Sequence, residues 1–196
     1  MMKNIKKNIV LIGGGGHCLS VIDIIENGDQ HNILGILDSN IGQNNILGYP
    51  VLGDDRQIPQ LVNDDTYFLI TVGQIKSYLT RKKIADVLYQ NNAKLATVIS
   101  STAYVSKHAQ IDEGTVIMNH AFINAKSSIG RNCIINTKTN IEHGVFIGDF
   151  CHISTCAVIN GDSVIGSGTF VGSNATISND VSIKDNSIIG AGKFIK

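Results

Sequence analysis

An aliphatic residue occurs at every sixth position from Val105 to Ile195, without a break in phase. Sixteen consecutive positions follow this step, fourteen of them isoleucine and two valine. They are Val105, Ile111, Ile117, Ile123, Ile129, Ile135, Ile141, Ile147, Ile153, Ile159, Ile165, Val171, Ile177, Ile183, Ile189 and Ile195. A period of six fits neither an α-helix nor an isolated strand. It is typical of a hexapeptide-repeat β-helix, in which short parallel strands wind around a shared axis.

A second column of small side chains accompanies the aliphatic one. Two positions before each aliphatic residue the chain carries Ala, Ser, Thr, Cys or Val, and only Lys193 departs from this pattern. We expect the small residues near the corners of the coil and the aliphatic residues inside it. One repeat cannot bury its apolar face alone, so the pattern predicts a domain that is stable only as a stack.

The first hundred residues have a different organisation, in which predicted strands alternate with predicted helices. The predicted strands are Asn8–Ile12, Asn32–Leu37, Tyr67–Val72 and Lys94–Ile99, and the predicted helices are Cys18–Asn27, a short one at Ile58–Val62, and Gln74–Gln90. Such alternation favours a small, Rossmann-like parallel α/β sheet. We therefore predict an α/β domain over residues 1–100 and a β-helix over residues 101–196.

Composition narrows the classes of partner. The chain carries 16 basic and 16 acidic residues for a net charge of +0, with no basic patch, which argues against nucleic acid as a partner. No run reaches the roughly 18 apolar residues of a membrane span. The four cysteines form no C-x-x-C pair. They are expected to be ordinary thiols in a reducing cytoplasm.

Three strand ends in the first domain could hold a ligand. The glycines Gly13 to Gly16 and His17 follow the first strand, Asp38 follows the second, and Gly73 follows the third. Ligands of open α/β sheets bind at such ends, and a helix N-terminus favours a phosphate. The loop departs from G-x-G-x-x-G, so a single nucleotide fits better than a dinucleotide. A tight turn without ligand and a solvated Asp38 remain alternatives.

The predicted β-helix carries four histidines, His108, His120, His143 and His152. No three of them converge if a coil has about 18 residues, so no metal is expected. His143 and His152 are half a coil apart and would meet only across two chains of a symmetric trimer. The His143 imidazole can take a proton from an attacking amine or hydroxyl, although a solvated turn residue is the simpler interpretation.

Several motifs together are similar to one family. They are Ile12-Gly-Gly-Gly-Gly-His17, Gly48-Tyr-Pro-Val-Leu-Gly53, Val72-Gly73, Ile135-Asn-Thr137, Ile141-Glu-His143 and Ile147-Gly-Asp-Phe-Cys-His-Ile153. With its two-part layout, the chain resembles the bacterial sugar O/N-acyltransferases of the NeuD and PglD type over nearly its whole length.

The resemblance implies a left-handed β-helix that forms a homotrimer, with acetyl-CoA as acyl donor and an active site between neighbouring chains. It implies a nucleotide-sugar substrate in the α/β domain, with no metal. His143 would be the general base, with Glu142 beside it. The cofactor-binding residues implied are His152, Gly161, Ser173 and Ala191. The substrate-binding residues implied are Gly15, Gly16, His17, Asp38, Gly73 and Asn136.

Three functions follow from these expectations. The first is an acetyl-CoA-dependent N-acetyltransferase acting on a nucleotide-linked amino sugar in bacterial glycan or nonulosonate biosynthesis. The second is a sialic-acid-type O-acetyltransferase, since the same base serves a hydroxyl. The third is a non-catalytic β-helix scaffold. Some relatives place an acidic residue after the histidine where this chain has Gly144, and many end in a Gly-Val-Pro-Ala-Lys-like tail that is not found before Lys196.

Overall fold

The computed structural model describes residues 6–39, 42 and 44–196. The chain divides into two compact units. The first comprises Met1–Gly73 and Leu79–Ala96, and the second comprises Gln74–Tyr78 and Thr97–Lys196. Among the described residues no helix is both long and apolar enough to cross a membrane.

The first unit is a six-stranded sheet with helices. Its elements are β1 (Lys7–Ile12), α1 (Gly16–Glu26), β2 (His31–Leu37), β3 (Asn45–Ile46), β4 (Tyr49–Gly53), a 3-10 turn (Asp55–Gln57), α2 (Ile58–Leu61), β5 (Thr66–Ile70), α3 (Leu79–Gln90) and β6 (Lys94–Leu95). The strand order is β3-β4-β2-β1-β5-β6, parallel except for the β3–β4 hairpin. In the central β1, Ile9, Val10 and Leu11 are fully buried, as expected of a parallel strand covered on both faces.

Two of the predicted elements in this region are wrong. The predicted helix Gln74–Gln90 begins only at Leu79. Ile75 and Leu79, whose spacing of four suits the buried stripe of a helix, are 63% and 55% exposed. The predicted strand Lys94–Ile99 is two strands. Lys94–Leu95 pairs with β5, whereas Val98–Ile99 pairs with the repeat strand at Val116 and Ile117. The first repeat strand therefore precedes the predicted domain boundary at residue 100.

The second unit is a parallel β-helix of two-residue strands. They are β7 (Val98–Ile99), β8 (Tyr104–Val105), β9 (Gln110–Ile111), β10 (Val116–Ile117), β11 (Phe122–Ile123), β12 (Ser128–Ile129), β13 (Ile134–Ile135), β14 (Asn140–Ile141), β15 (Phe146–Ile147), β16 (His152–Ile153), β17 (Val158–Ile159), β18 (Val164–Ile165), β19 (Phe170–Val171), β20 (Thr176–Ile177), β21 (Ser182–Ile183), β22 (Ile188–Ile189) and β23 (Phe194–Ile195). Successive strands join three sheets in turn. We call these face 1 (β7 to β22 in steps of three), face 2 (β8 to β23) and face 3 (β9 to β21).

The aliphatic column forms the core of this β-helix, as predicted. Ile117 pairs with Ile135 one coil later, and Ile135 pairs with Ile153. Every member of the column from Ile117 to Ile177 is fully buried. The small residues two positions earlier are buried as well, among them Ala121, Cys133 and Ala157, so each corner is closed by a side chain that leaves room for the next strand.

The corners have a regular conformation that the sequence does not reveal. Every sixth residue from Gly114 to Gly192 has a positive φ. Four of these are glycines, and the others are His120, Lys126, Asn132, Lys138, Phe150, Cys156, Asp162, Asn174, Asp180 and Asn186. A non-glycine residue in this region costs about 1–2 kcal/mol. The stacked ladder therefore fixes the backbone against local preference, and it places Asp162 and Gly144 at equivalent positions one coil apart.

Candidate active site

His143 lies at the corner between face 2 and face 3. Its ring lies against Gly161, the equivalent residue of the next coil, where a Cβ atom would come within 2.5 Å of His143 Cε1. Asp162 follows directly, with Oδ2 3.7 Å from His143 Nδ1. Both side chains are more than half exposed. This corner therefore presents an accessible imidazole with a carboxylate at one ring nitrogen.

Glu142 precedes the histidine, but its carboxylate is held by amides. It accepts hydrogen bonds from Asn124 Nδ2 at 2.8 Å and from Asn140 Nδ2 at 3.1 Å. These bonds, with a smaller contribution from the neighbouring His143, lower the pKa of Glu142 below its ordinary value. Glu142 is therefore an anion at neutral pH whose oxygens are bound along face 2. A direct part for it in proton transfer stays a prediction.

Asn136 and His152 form a second group. The Nε2 atom of His152 lies 3.1 Å from Asn136 Nδ2, and its Nδ1 atom is hydrogen-bonded to the Gln74 carbonyl oxygen. A carbonyl only accepts, so Nδ1 carries the proton and Nε2 accepts from the Asn136 amide. The ring also packs edge-on against Phe170, at 5.2 Å between centroids. His152 is only 8% exposed, so a contact of its ring with cofactor, as the resemblance implies, stays a prediction.

The segment Gln74–Tyr78 explains how His152 is held. Gln74 donates through Nε2 to the Phe150 carbonyl at 2.7 Å. The ring centroids of Tyr78 and Phe150 lie 5.9 Å apart. The local pattern predicts a helix for these residues, and it gives no sign of their contacts because bonds to residues about 76 positions away leave no local signal.

The remaining residues of the predicted cofactor site are on the same corner as Asn136, between face 1 and face 2. Ser173 Oγ lies 3.0 Å from Ser154 Oγ, and a Cβ atom on Gly172 would lie 2.5 Å from the Ala191 nitrogen. Gly161, by contrast, lies with His143. The structure of one chain thus divides the predicted groups between two corners of the β-helix and does not bring Asn136 to His143.

The predicted nucleotide residues meet at the carboxyl edge of the sheet in the first unit. The α1 helix starts at Gly16 after the cap residue Gly15, and both glycines are exposed with open space where a Cβ atom would stand. Asp38 accepts a hydrogen bond from the Gly14 amide. A Cβ atom on Gly73 would lie 3.9 Å from that of His17. The loop between β1 and α1 is therefore braced by Asp38 and open at the helix N-terminus.

Acidic groups near this loop are perturbed by their surroundings. Burial, with the charges of Asp54 and Asp38, raises the pKa of Asp55. Burial also raises the pKa of the Cys18 thiol, against a hydrogen bond with Thr71 that lowers it. Over the described part of the chain, no three His, Cys, Asp or Glu side chains are grouped so that they could hold a metal ion.

Family models match both parts of the chain. The model for the PglD N-terminal domain matches residues 8–88, and that for the bacterial transferase hexapeptide (six repeats) matches residues 162–196. The first part of the chain is thus similar to the PglD N-terminal domain, and its last 35 residues are similar to the hexapeptide transferases. The fold is an α/β sheet domain followed by a left-handed parallel β-helix, as the resemblance implies.

One curated relative is similar to this chain in sequence. The chain is 34% identical to the UDP-N-acetylbacillosamine N-acetyltransferase of Bacillus subtilis (strain 168) over 119 residues, 57% of this chain and 51% of that protein. The aligned region thus spans about half the length of that curated relative.

Solved structures cover more of the chain. The acetyltransferase domain of PglB from Neisseria gonorrhoeae FA1090 has a TM-score of 0.91 at 25% identity, over 97% of this chain and 92% of that one. The same domain is also known in complex with acetyl coenzyme A. A histidine-to-asparagine mutant of perosamine N-acetyltransferase from Caulobacter crescentus, in complex with CoA and GDP-perosamine, has a TM-score of 0.89 at 28% identity, over 96% and 88% of the two chains.

Proposed function

We propose that this protein is an acetyl-CoA-dependent N-acetyltransferase that acts on the amino group of a nucleotide-linked amino sugar in bacterial glycan synthesis. The observation that carries the proposal is the accessible His143 imidazole, seated on Gly161 beside the Asp162 carboxylate. Support comes from the PglD-type relatives whose names describe N-acetyltransferases of such sugars, and from their complexes with CoA or acetyl coenzyme A.

The chemistry assigned to this corner is direct transfer. The sugar nitrogen attacks the thioester carbonyl carbon while a His143 ring nitrogen takes the proton that the nitrogen loses. The tetrahedral intermediate then expels the CoA sulfur, which takes the proton from the imidazolium and leaves as a thiol. Donors near the thioester oxygen would stabilise the oxyanion. The step needs no redox partner and leaves an amide on the sugar.

The nucleotide end of the substrate is assigned to the first unit. The first N–H groups of a helix lack intrahelical partners and attract an anion, and Gly15 and Gly16 leave them uncovered. Asp38 and Gly73 stand at the neighbouring strand ends. The diphosphate would bind at the N-terminus of α1, with the ribose or base near the other two strand ends.

The active species is proposed to be a homotrimer. His143 and the predicted cofactor residues Ser173 and Ala191 are on different corners of one β-helix. A neighbouring chain would bring its own corner to His143 and complete the site. The four cysteines, all among the described residues, form no disulfide with one another, which suits the reducing cytoplasm predicted for the protein.

The test is an acceptor panel. Purified protein is mixed with acetyl-CoA and UDP-, GDP- or dTDP-linked amino sugars, and free CoA and acetylated sugar are measured together. We expect one nucleotide class to give sugar-dependent CoA release with an equal amount of amide product. If free CoA is released only with a sialic-acid-type hydroxyl acceptor, the protein is an O-acetyltransferase instead. If no acceptor gives product and neither CoA nor nucleotide raises the melting temperature, the scaffold is the better account.

A further inference from the structure

We propose that Asp162 is the positioning residue for His143, supplying from the next coil the carboxylate that Gly144 lacks. The inference rests on the proposed function, in which His143 is the base. Asp162 Oδ2 lies 3.7 Å from His143 Nδ1. The Asp162 backbone N–H also donates to the His143 carbonyl at 3.0 Å, so the ladder fixes the two residues against each other.

The carboxylate of Asp162 fills the place that a side chain at residue 144 would occupy. A Cβ atom on Gly144 would lie only 2.0 Å from Asp162 Oδ1 and 3.1 Å from its carboxyl carbon. Both residues have positive φ, +67° for Gly144 and +59° for Asp162. Glycine after the histidine is therefore what lets the aspartate of the next coil reach the ring. An acidic side chain at residue 144 and one at residue 162 are alternatives for the same space.

The contact assigns the two ring nitrogens. A carboxylate accepts only, so the neutral imidazole that faces it carries its proton on Nδ1 and keeps the Nε2 lone pair for the substrate. The Asp162 charge also stabilises the imidazolium that forms when Nε2 takes the proton. The 3.7 Å separation is longer than a hydrogen bond. Such contacts are often long without substrate and shorten when it binds.

Other charged groups of this corner are differently placed. Glu142 is bound to Asn124 and Asn140. Lys126 occupies the same turn position as Gly144 one coil before it, and Asp180 occupies it one coil after Asp162. Of the acidic groups among these, Asp162 is the one whose carboxylate lies 3.7 Å from the Nδ1 atom of the ring.

The test combines a substrate-free and a kinetic measurement. Asp162→Gly removes the carboxylate and keeps a residue that tolerates positive φ, and Asp162→Asn keeps size and turn preference. Nitrogen NMR of the neutral His143 ring should show the Nδ1–H tautomer in the unliganded wild type and loss of that preference in Asp162→Gly. With substrates, both variants should lower kcat by up to about 100-fold, the cost of a misplaced catalytic group, with both KM values nearly unchanged.

Two further variants sharpen the result. Asp180→Asn, at the same turn position one coil on, should keep wild-type kcat. Adding Gly144→Asp to Asp162→Gly should restore a large part of kcat, because the space is then free for it. An unchanged tautomer in Asp162→Gly, or an unchanged kcat in an active enzyme, overturns the proposal. If no sugar is acetylated but the tautomer responds, the contact stands and only the proposed function fails.

Discussion

The His143 ring lies against Gly161, where a methyl group would come within 2.5 Å of Cε1 and 2.8 Å of Nε2. Gly161→Ala therefore has to displace the ring. Because a misplacement of about 1 Å can cost about 100-fold in rate, we expect kcat to fall roughly 10- to 100-fold. The ring is the end of an exposed side chain and can move, so the free energy of unfolding should change little. Steady-state kinetics and urea unfolding measure the two quantities.

Gly28→Ala provides the control for that substitution. Its added methyl meets only carbonyl oxygens at 3.4 and 3.6 Å, so kcat should stay at the wild-type value. Wild-type kcat in Gly161→Ala would mean that the ring position does not matter for the rate.

In the loop between β1 and α1, substitution of one glycine should affect stability and substitution of another should affect nucleotide binding. Gly13 has φ +103°, and its Cβ atom would lie 2.5 Å from the Val72 side chain, so Gly13→Ala should destabilise the fold by at least about 1–2 kcal/mol. Gly15→Ala meets nothing within 4 Å, so it should cost no more than about 1 kcal/mol for the poorer N-cap residue while weakening nucleotide binding. Calorimetry with UDP and GDP checks this. Equal nucleotide affinity in Gly15→Ala and wild type would remove the helix N-terminus from the substrate site.

The contribution of Glu142 to the free energy of unfolding should fall as the pH is lowered into the acid range. Hydrogen bonds from Asn124 and Asn140 lower its pKa in the folded state. Such a group stabilises the fold above its unfolded pKa, about 4.3, and loses that contribution as the pH falls through the lower folded value. Glu142→Gln should therefore lower the free energy of unfolding by under about 1 kcal/mol at neutral pH, because the carboxylate is partly exposed to solvent. The loss should be smaller at about pH 3, where the carboxylate is being protonated. Urea unfolding at both pH values tests this, and an equal difference at both would contradict it.

The buried aliphatic column predicts a graded loss of stability. Ile129 is fully buried on face 3, so Ile129→Val should cost about 0.5–1.5 kcal/mol and Ile129→Ala about 2–5 kcal/mol. Chemical denaturation gives both values. Similar small costs for both substitutions would show that the column is not close-packed.

The β-helix could be predicted from the sequence because its signal is local and repeated. Each strand carries its aliphatic residue six positions after the previous one, so one pattern locates the strands from Val105 onward. The prediction of a helix over Gln74–Tyr78 is wrong for the opposite reason. Ile75 and Leu79 have helical spacing, but bonds of Gln74 to Phe150 and His152 in the β-helix decide the conformation instead.

The pairing of His143 with Asp162 was missed although the coil length could have found it. Gly144 stands where some relatives carry an acidic residue, and Asp162 lies one coil of 18 residues further, at the equivalent corner. The burial of Arg81 has no comparable signal in the sequence. It is 1% exposed and donates to the carbonyls of Ile70 and Val72, whereas a basic residue near the start of an amphipathic helix is ordinarily expected at the surface.

The measurement that tests the account most directly is kcat of His143→Asn with acetyl-CoA and the accepted amino sugar. The variant is of similar polarity and lies in an exposed turn, so it should fold and bind CoA as the wild type does. We predict that kcat falls roughly 10²- to 10⁴-fold, the contribution of a general base. A folded, CoA-binding His143→Asn protein with wild-type kcat would contradict the account.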